Sequence, residues 1–408
     1  MTHADTDIAI LGAGMTGASL VHLLRPALAA GWRITLLDGK ALRWDGDIAS
    51  RPPSFDGRAT ALSYGTQQLL QQLQVWPSIA ERACAIEHIQ VSDQGRFGQA
   101  HLHAAEQDTD ALGYVIENAV LGQGLLQPLA ELQGLEIRAP VKVERITMNQ
   151  EGALLQLDSG DTLQTRLLVM ADGGRSPLAA QLGIEQRRKS YHSFALVTQV
   201  ETDRPHQHWA YERFSEAGPI AFLPLGQRQF AVVWTLADDA VNAVLGLSDE
   251  AFLQHLQQQI GWRVGRLQRV GERQAYPLAL MTASEQVRRS LVLLGNAAHS
   301  LHPVAGQGFN LALRDTAMLA QHLNQASQRG DHPGELALLQ RYVQQQQTDQ
   351  RNTIQASDWL PSLFASRQSW LQGLRDVGLV AMSAAPTARR LFARHAMGLG
   401  QRAAQLGE

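Results

Sequence analysis

The chain holds one cysteine, Cys84, so it forms no internal disulfide, and no Cys/His run has metal-ligand spacing. Charged residues are 18% of the 408 and the net charge is −3, which leaves no electrostatic footprint for nucleic acid. No run of about 18 apolar residues occurs, so no bilayer-spanning helix is expected. The opening "MTHADTDIAILGAG" lacks a basic region followed by an apolar core and a small-residue cleavage site, so no secretory leader is expected and the cytoplasm is the expected setting. There is no internal repeat, and patches such as Gln344–Gln347 are too short to count as low-complexity tracts. What remains is an ordinary globular chain, long enough for two substructures around a large core.

Glycine is where the sequence becomes specific. "GNAAHSLHPVAGQGFNLALRDT" (295–316) sets three glycines and a proline between an apolar run, Leu291–Leu294, and a helical pattern. Glycine carries an entropic cost unless its small size or a positive φ is needed, so something must approach this backbone closely. A second cluster, Gly12-Ala13-Gly14-Met15-Thr16-Gly17, follows the apolar strand 7–11 and opens a helical period; Asp38 ends the next strand, 33–37. In dinucleotide binding the first glycine makes the tight turn, the second admits the pyrophosphate and the third lets helix and sheet close up. The helix N-terminus offers unpaired N–H groups to phosphate, and Asp38 is the expected acceptor for ribose hydroxyls. This motif alone does not choose NAD over FAD.

The coarse reading is α/β. Helix is expected over 59–73, 118–132 and 248–260, with Ser248 as an N-cap, and almost everything after residue 308 is helical. Strands are expected at 86–92 and 97–103 as a hairpin, and at 141–147, 153–158 and 166–170. From 193 to 236, "SFALVTQVET", "QHWAYERF", "PIAFLPLG" and "QFAVVWTL" succeed one another without helical spacers, which predicts an antiparallel sheet. The fold class is therefore a Rossmann-like α/β nucleotide-binding domain with an inserted antiparallel β-sheet and a helical C-terminal tail. Residues 1–78, 107–185 and 281–345 build the nucleotide-binding part; a hairpin (79–106) and a sheet (186–280) form the inserted substrate part; 346–408 is the tail.

Together with "ADGGRSP" (171–177), the glycine clusters make three separate motifs. This set resembles the single-component flavoprotein aromatic hydroxylases, over roughly residues 7–400. "DGRATALSYGTQQLLQQLQVW" (56–76) and "GLVAMSAAPTARRLFARHAMG" (378–398) look like the ubiquinone-biosynthesis branch, which acts on polyprenyl-methoxyphenols. The resemblance implies FAD along Gly12, Gly14, Met15, Thr16, Gly17 and Asp38. It adds Asp172 and Gly173, linked to both the flavin pyrophosphate and the nicotinamide donor. Gly295 and Asn296 would touch the ribityl chain, and Pro303, Gly306, Gly308, Phe309 and Asn310 would receive the polar edge of the flavin ring. Arg58 and Asn118 would contact the flavin as well. It further implies NAD(P)H as a transient electron donor without its own Rossmann domain, and hydroxylation of a phenolic ring by O₂ through a flavin C4a-hydroperoxide. One position departs from the family, which usually has aspartate where this chain has Asn296. Asparagine keeps an acceptor oxygen but loses the charge, a difference of about 1 kcal/mol for one hydrogen bond.

Other readings stay open at this level. Arg58 either meets the flavin or pairs on a surface helix, and Asn118 either meets it or simply starts a helix. His299 and His302 lie beside the expected flavin, yet no catalytic partner can be named for them, and no catalytic residue is assigned. Trp209, Tyr211 and Phe222 read as sheet-packing aromatics rather than substrate platforms. The tail around 358–398 mixes Trp, Leu and Phe with Arg375, Arg389, Arg390 and Arg394; it either packs on the flavin domain or lies on a membrane surface. Access to a lipid substrate through a ubiquinone-biosynthesis protein complex is a further expectation. A non-catalytic FAD-binding subunit, or another flavin oxidoreductase such as an isoprenoid reductase, is the alternative function.

Overall fold

The computed structural model describes residues 4–42, 58–95, 99–174, 176–215, 218–301, 307–365 and 386–399. Thr6–Leu11 is the central strand of a parallel sheet. It pairs in register with Ile34–Leu37 on one side and Thr162–Met170 on the other, and Leu135–Arg138 and Leu291–Leu293 extend the two flanks, all parallel. Ile34–Leu37, Leu291–Leu293 and residues 8–11 and 167–170 are unbroken buried, almost wholly apolar runs because both faces are covered there, whereas the edge strand Leu135–Arg138 is partly exposed. Ile8 and Ile10 face the helices Met15–Leu23 and Gln307–Arg329, while Ala9 and Leu11 face the antiparallel meander Val143–Met148/Ala153–Leu157.

His22 joins this layer to the helix Asn118–Leu126: its Nε2 lies 2.6 Å from the Leu125 carbonyl oxygen, and the residue is 2% exposed. The carbonyl can only accept, so Nε2 carries the hydrogen. Desolvation by burial, with a smaller push from Arg25, lowers the His22 pKa from 6.5 to about 4. Below 6.5 the unfolded chain therefore binds a proton that the folded chain refuses. Stability is expected to drop by about 3 kcal/mol as pH falls from 6.5 towards 4. Urea unfolding of wild type and His22→Gln across that window checks this: the variant should lose that share of the pH dependence.

The inserted sheet has nine described strands. Its main path runs His299–Ser300, Gln274–Ala283, Gln186–Thr202, Gln229–Ala237, Gly218–Leu225, Trp209–Ser215, His88–Asp93 and Gln99–His103, with Leu267–Val270 pairing Gln186–Thr202. The expected antiparallel meander is present, and the hairpin His88–Asp93/Gln99–His103 forms as the sequence predicts. One pairing differs: His88–Asp93 joins Trp209–Ser215 in parallel, because the hairpin arrives from a distant part of the chain rather than through a tight turn. Helix Asp249–Ile260, capped by Ser248 accepting from the Ala251 N–H at 3.3 Å, covers one face of the sheet. That face, with Leu196, Val200, Phe222, Phe230, Val232 and Trp234, is fully buried. The opposite face is only half-buried at Val91, Val197, Ala221, Leu223 and Val233. The two faces alternate residue by residue, as a pleated strand requires.

Residues 59–63 form a strand rather than the first turn of the expected helix. They pair antiparallel with Gly113–Glu117, and the helix starts only at Tyr64, where Ser63 accepts from the Thr66 N–H at 3.2 Å. The expected helix 118–132 ends at Leu126 and tightens into a 3₁₀ turn over Gln127–Glu131, which carries Pro128.

Candidate functional site

Three loops meet at the end of the central strand. Gly12 has φ +105°, and a Cβ there would lie 2.7 Å from the Ala171 carbonyl oxygen and 2.9 Å from the Asp172 Cα. Gly295, at φ +60°, touches the first motif: a Cβ would come within 2.7 Å of the Thr16 Oγ1. Gly174, at φ +67°, would place a Cβ 3.2 Å from the Asn296 carbonyl oxygen. Each motif thus needs glycine because another of the three packs against its backbone, which the sequence motifs by themselves did not reveal. Gly173 shares the positive φ of this turn.

The helix that opens on this junction, Met15–Leu23, has Gly14 as N-cap in extended conformation, no side-chain cap and no acidic residue in its first turn. Its N-terminal N–H groups are therefore left to an anion. Met15 is buried against the core, and Thr16 is half-buried at the loop junction. Asp38 holds the glycine loop in place: one carboxylate oxygen accepts from the Ala13 N–H and the other from the Lys40 N–H, both at 2.8 Å. Each oxygen keeps a second lone pair, so a ribose hydroxyl still finds an acceptor. Asp172 accepts from the Gly174 N–H at 3.1 Å and from the Ser176 hydroxyl, which fixes the second loop. Asn296 projects from a 3₁₀ turn, Gly295–Ala297, and is exposed.

The remaining expected residues fall into two groups. Arg58 lies with its guanidinium carbon 4.7 Å from the Tyr276 ring centroid, and its carbonyl accepts from the Asn118 N–H at 2.7 Å. Asn118 is 5% exposed and accepts from the Thr60 hydroxyl at 2.6 Å. Asn310 is 1% exposed; its side chain accepts from the Ser63 N–H at 2.9 Å and donates to the Ala61 carbonyl at 3.0 Å. These contacts make the strand Ala59–Ser63 a bridge between the flavin-type domain and the sheet. Gly308 and Phe309 lie half-buried at the start of helix Gln307–Arg329, and nothing approaches the position of a Cβ on Gly308. Pro303, Gly306 and His302 lie outside the described residues. His299 is buried, its Nε2 2.7 Å from an Asp315 carboxylate oxygen that also accepts from Gln350 at 3.1 Å. Trp209, Tyr211 and Phe222 pack on the helix-covered side of the sheet, Trp209 stacked on Tyr211, as sheet-packing aromatics should be.

Fold and loops together define a dinucleotide-binding flavoprotein whose inserted sheet turns a half-open apolar face towards the cofactor domain. The contact is direct: Ala210 and Leu225 of the sheet pack with Val115 and Ala59 beside Arg58. The chain belongs to the FAD binding domain family, which it matches over residues 5–357. The ubiquinone hydroxylase UbiL of Rhodospirillum rubrum is 34% identical, over 96% of this chain and 89% of its own. The 3-demethoxyubiquinol 3-hydroxylase of Escherichia coli is 27% identical, over 98% of this chain and 100% of its own. A solved structure, p-nitrophenol 4-monooxygenase PnpA from Pseudomonas putida, shares the fold with a TM-score of 0.76 at 17% identity, covering 98% of this chain and 100% of that one. The protein is an FAD-dependent aromatic monooxygenase, of a family that takes its electrons from NAD(P)H.

Proposed function

We propose that this enzyme hydroxylates the phenolic ring of a polyprenylated ubiquinone precursor. The observation that carries the reading is the near full-length likeness to a ubiquinone hydroxylase at 34% identity. The half-open apolar sheet face supports it, since Val91, Val197, Ala221, Leu223 and Val233 suit an apolar ring rather than a charged one.

Bound FAD supplies the redox chemistry that couples NAD(P)H oxidation to transfer of one oxygen atom of O₂ onto the ring. The protein's part is binding, orientation and dryness. Gly12, Gly14 and Gly17, with the uncapped helix start at Met15 and Thr16, would hold the pyrophosphate, and Asp38 the adenosine ribose. Asp172, Gly173, Gly295 and Asn296 would line the middle of the cofactor. Arg58, Asn118, Gly308, Phe309 and Asn310 would frame its ring end, together with Pro303 and Gly306. The sheet face excludes water, which would otherwise divert reducing equivalents to H₂O₂.

Lipid access belongs to the proposal too. No helix among the described residues is long and apolar enough to cross a membrane. The described part of the tail, 386–399, docks on the hairpin segment through Arg389, whose guanidinium donates twice to Glu106 at 2.9 Å, and through Ala393 and Met397. Its outer side shows Leu391, 74% exposed, between the exposed Arg390 and Arg394. That pattern suits a peripheral contact with an anionic bilayer or with a biosynthetic complex.

The test is a purified, FAD-loaded protein given NAD(P)H with and without a short-chain prenyl-methoxyphenol. Faster NAD(P)H oxidation with the phenol, and a product heavier by one oxygen, is expected. A yellow protein whose reduced flavin reoxidises at the same rate with and without the phenol would instead be a non-catalytic FAD-binding subunit.

A further inference from the structure

Within the hydroxylation proposed above, no residue yet handles the phenolic proton. The strand Trp209–Ser215 supplies one. Trp209, Tyr211 and Arg213 point to the helix-covered side, where Tyr211 stands opposite Phe222 and Arg213 reaches the Ser92 hydroxyl at 3.4 Å. Ala210, Glu212 and Phe214 therefore point to the other side, towards the cofactor domain, and Ala210 already packs there with Val115 and Ile86. Glu212 stands opposite Ala221 on one neighbouring strand and Val91 on the other, and Val233 and Val197 follow across the sheet. It is a carboxylate in the middle of an apolar, half-open face. It keeps partial access to the space in front of that face, and among the described residues it has no hydrogen bond or ion pair.

Among the described residues nothing nearby compensates the charge. The adjoining strand Gly218–Leu225 carries no ionisable side chain. On His88–Asp93, Asp93 shares the face of Glu212 and His88 lies on the other. Helix Leu336–Ala365, which also packs on this strand, carries Arg341, Asp349, Arg351 and Asp358. Of these, Asp349 is held by Arg314, and Asp358 by Lys189 and Tyr191. Desolvation accordingly pushes the Glu212 carboxyl up to about 7. That is where a general base works best near neutral pH.

We propose that Glu212 is the catalytic base of the reaction, its carboxylate taking the proton of the substrate's phenolic hydroxyl. A phenol ionises near pH 10, so only about 0.1% is phenolate at pH 7. Proton transfer to Glu212 makes the ring oxygen a stronger electron donor when the attacked carbon bonds to oxygen. The resulting dienone loses its ring C–H proton to water, and its carbonyl oxygen takes the proton back from Glu212, which restores the carboxylate. Overall, phenol, O₂, NAD(P)H and one proton give the hydroxylated phenol, NAD(P)⁺ and water. The unpaired charge also selects against a ring carrying its own carboxylate.

The inference rests on the proposed hydroxylation, and the experiment separates the two. Wild-type, Glu212→Gln and Glu212→Asp holoenzymes are assayed for product with a short-chain prenyl-methoxyphenol and with a ring-fluorinated analogue already ionised across the assay range. For the neutral phenol, Glu212→Gln should lower kcat/KM about 10²-fold and abolish the acidic limb of the pH profile, while Glu212→Asp retains that limb. For the ionised phenol the loss should stay within about threefold, since no proton remains to be taken. Equal losses with both phenols, or Glu212→Gln acting like wild type on the neutral one, overturn the role of Glu212 and leave the hydroxylase reading standing. A wild type that hydroxylates neither phenol overturns both. Should Glu212→Gln fail to hold FAD, the wild-type profiles decide: an acidic limb with the neutral phenol alone supports the base, and identical limbs with both overturn it.

Discussion

Gly17→Val is expected to give a colourless protein, less stable than wild type and without NAD(P)H-dependent hydroxylation. At Gly17 a Cβ would fall inside the envelope of the Gly12 carbonyl oxygen and only 3.3 Å from the Ile10 side chain. The obstacle is backbone, so no rotamer change relieves it. Either helix Met15–Leu23 lifts off the central strand or the glycine loop opens. Lifting the helix uncovers a contact among Ile8, Ile10, Ala18 and Val21, all buried in the main core. Overpacking of this kind costs about 1–3 kcal/mol, and more where backbone must move. Opening the loop moves the uncapped helix start away from the position in which its N–H groups converge, and the Asp38–Ala13 bond at 2.8 Å goes with it. Both routes displace the anion site, so FAD affinity should fall by about 10³-fold, equivalent to about 4 kcal/mol. Absorbance after gel filtration with excess FAD reads the first effect and urea unfolding of the apoprotein the second. A yellow variant with normal occupancy would show that the pyrophosphate lies elsewhere.

Arg314→Met should be the most destabilising change away from that junction. Arg314, on helix Gln307–Arg329, meets Asp349, on helix Leu336–Ala365, through Nε at 2.6 Å and Nη2 at 3.2 Å. The Asp349 carboxylate is almost fully buried and also accepts from Gln346 at 3.2 Å and Thr353 at 3.3 Å. Removing the guanidinium leaves a buried charge with two neutral donors. A broken buried pair costs about 3–5 kcal/mol, far above the ~0–1 kcal/mol of an exposed one. Asp349→Asn in the same background should recover part of the loss, because it removes the orphaned charge. Urea midpoints of the single and double variants check this; a double variant no better than Arg314→Met would mean that lost packing, not charge, is the cause.

How far the sequence could be read depended on whether a signal was local. The glycine motif 12–17, Asp38 at the end of its strand, the Ser248 cap and the uninterrupted β run from 193 to 236 are all local patterns, and the fold follows them. Residues 59–63 went the other way: "ATALS" is a helix-former by composition, and only its pairing with Gly113–Glu117, some fifty residues on, makes it a strand. Asn310 gives the same lesson within the site. Its place beside Gly308 reads as cofactor contact, yet its side chain also ties Ser63 and Ala61 to the helix start. Glu212 carries no local signal: beside Arg213 inside "WAYERF" it reads as one more polar position of a surface strand.

By itself the sequence determined the class: a Rossmann-type α/β domain with an inserted sheet, three glycine motifs, and no metal spacing or membrane span to suggest anything else. Tertiary structure alone decided that Gly12 meets Ala171, Gly295 meets Thr16 and Gly174 meets Asn296, and which face of the inserted sheet stays open. The reason is physical. Turn chemistry and apolar periodicity act over a few residues and are written into neighbouring letters. The space left for a Cβ, or the desolvation of a carboxylate, is set by whatever the rest of the chain brings alongside.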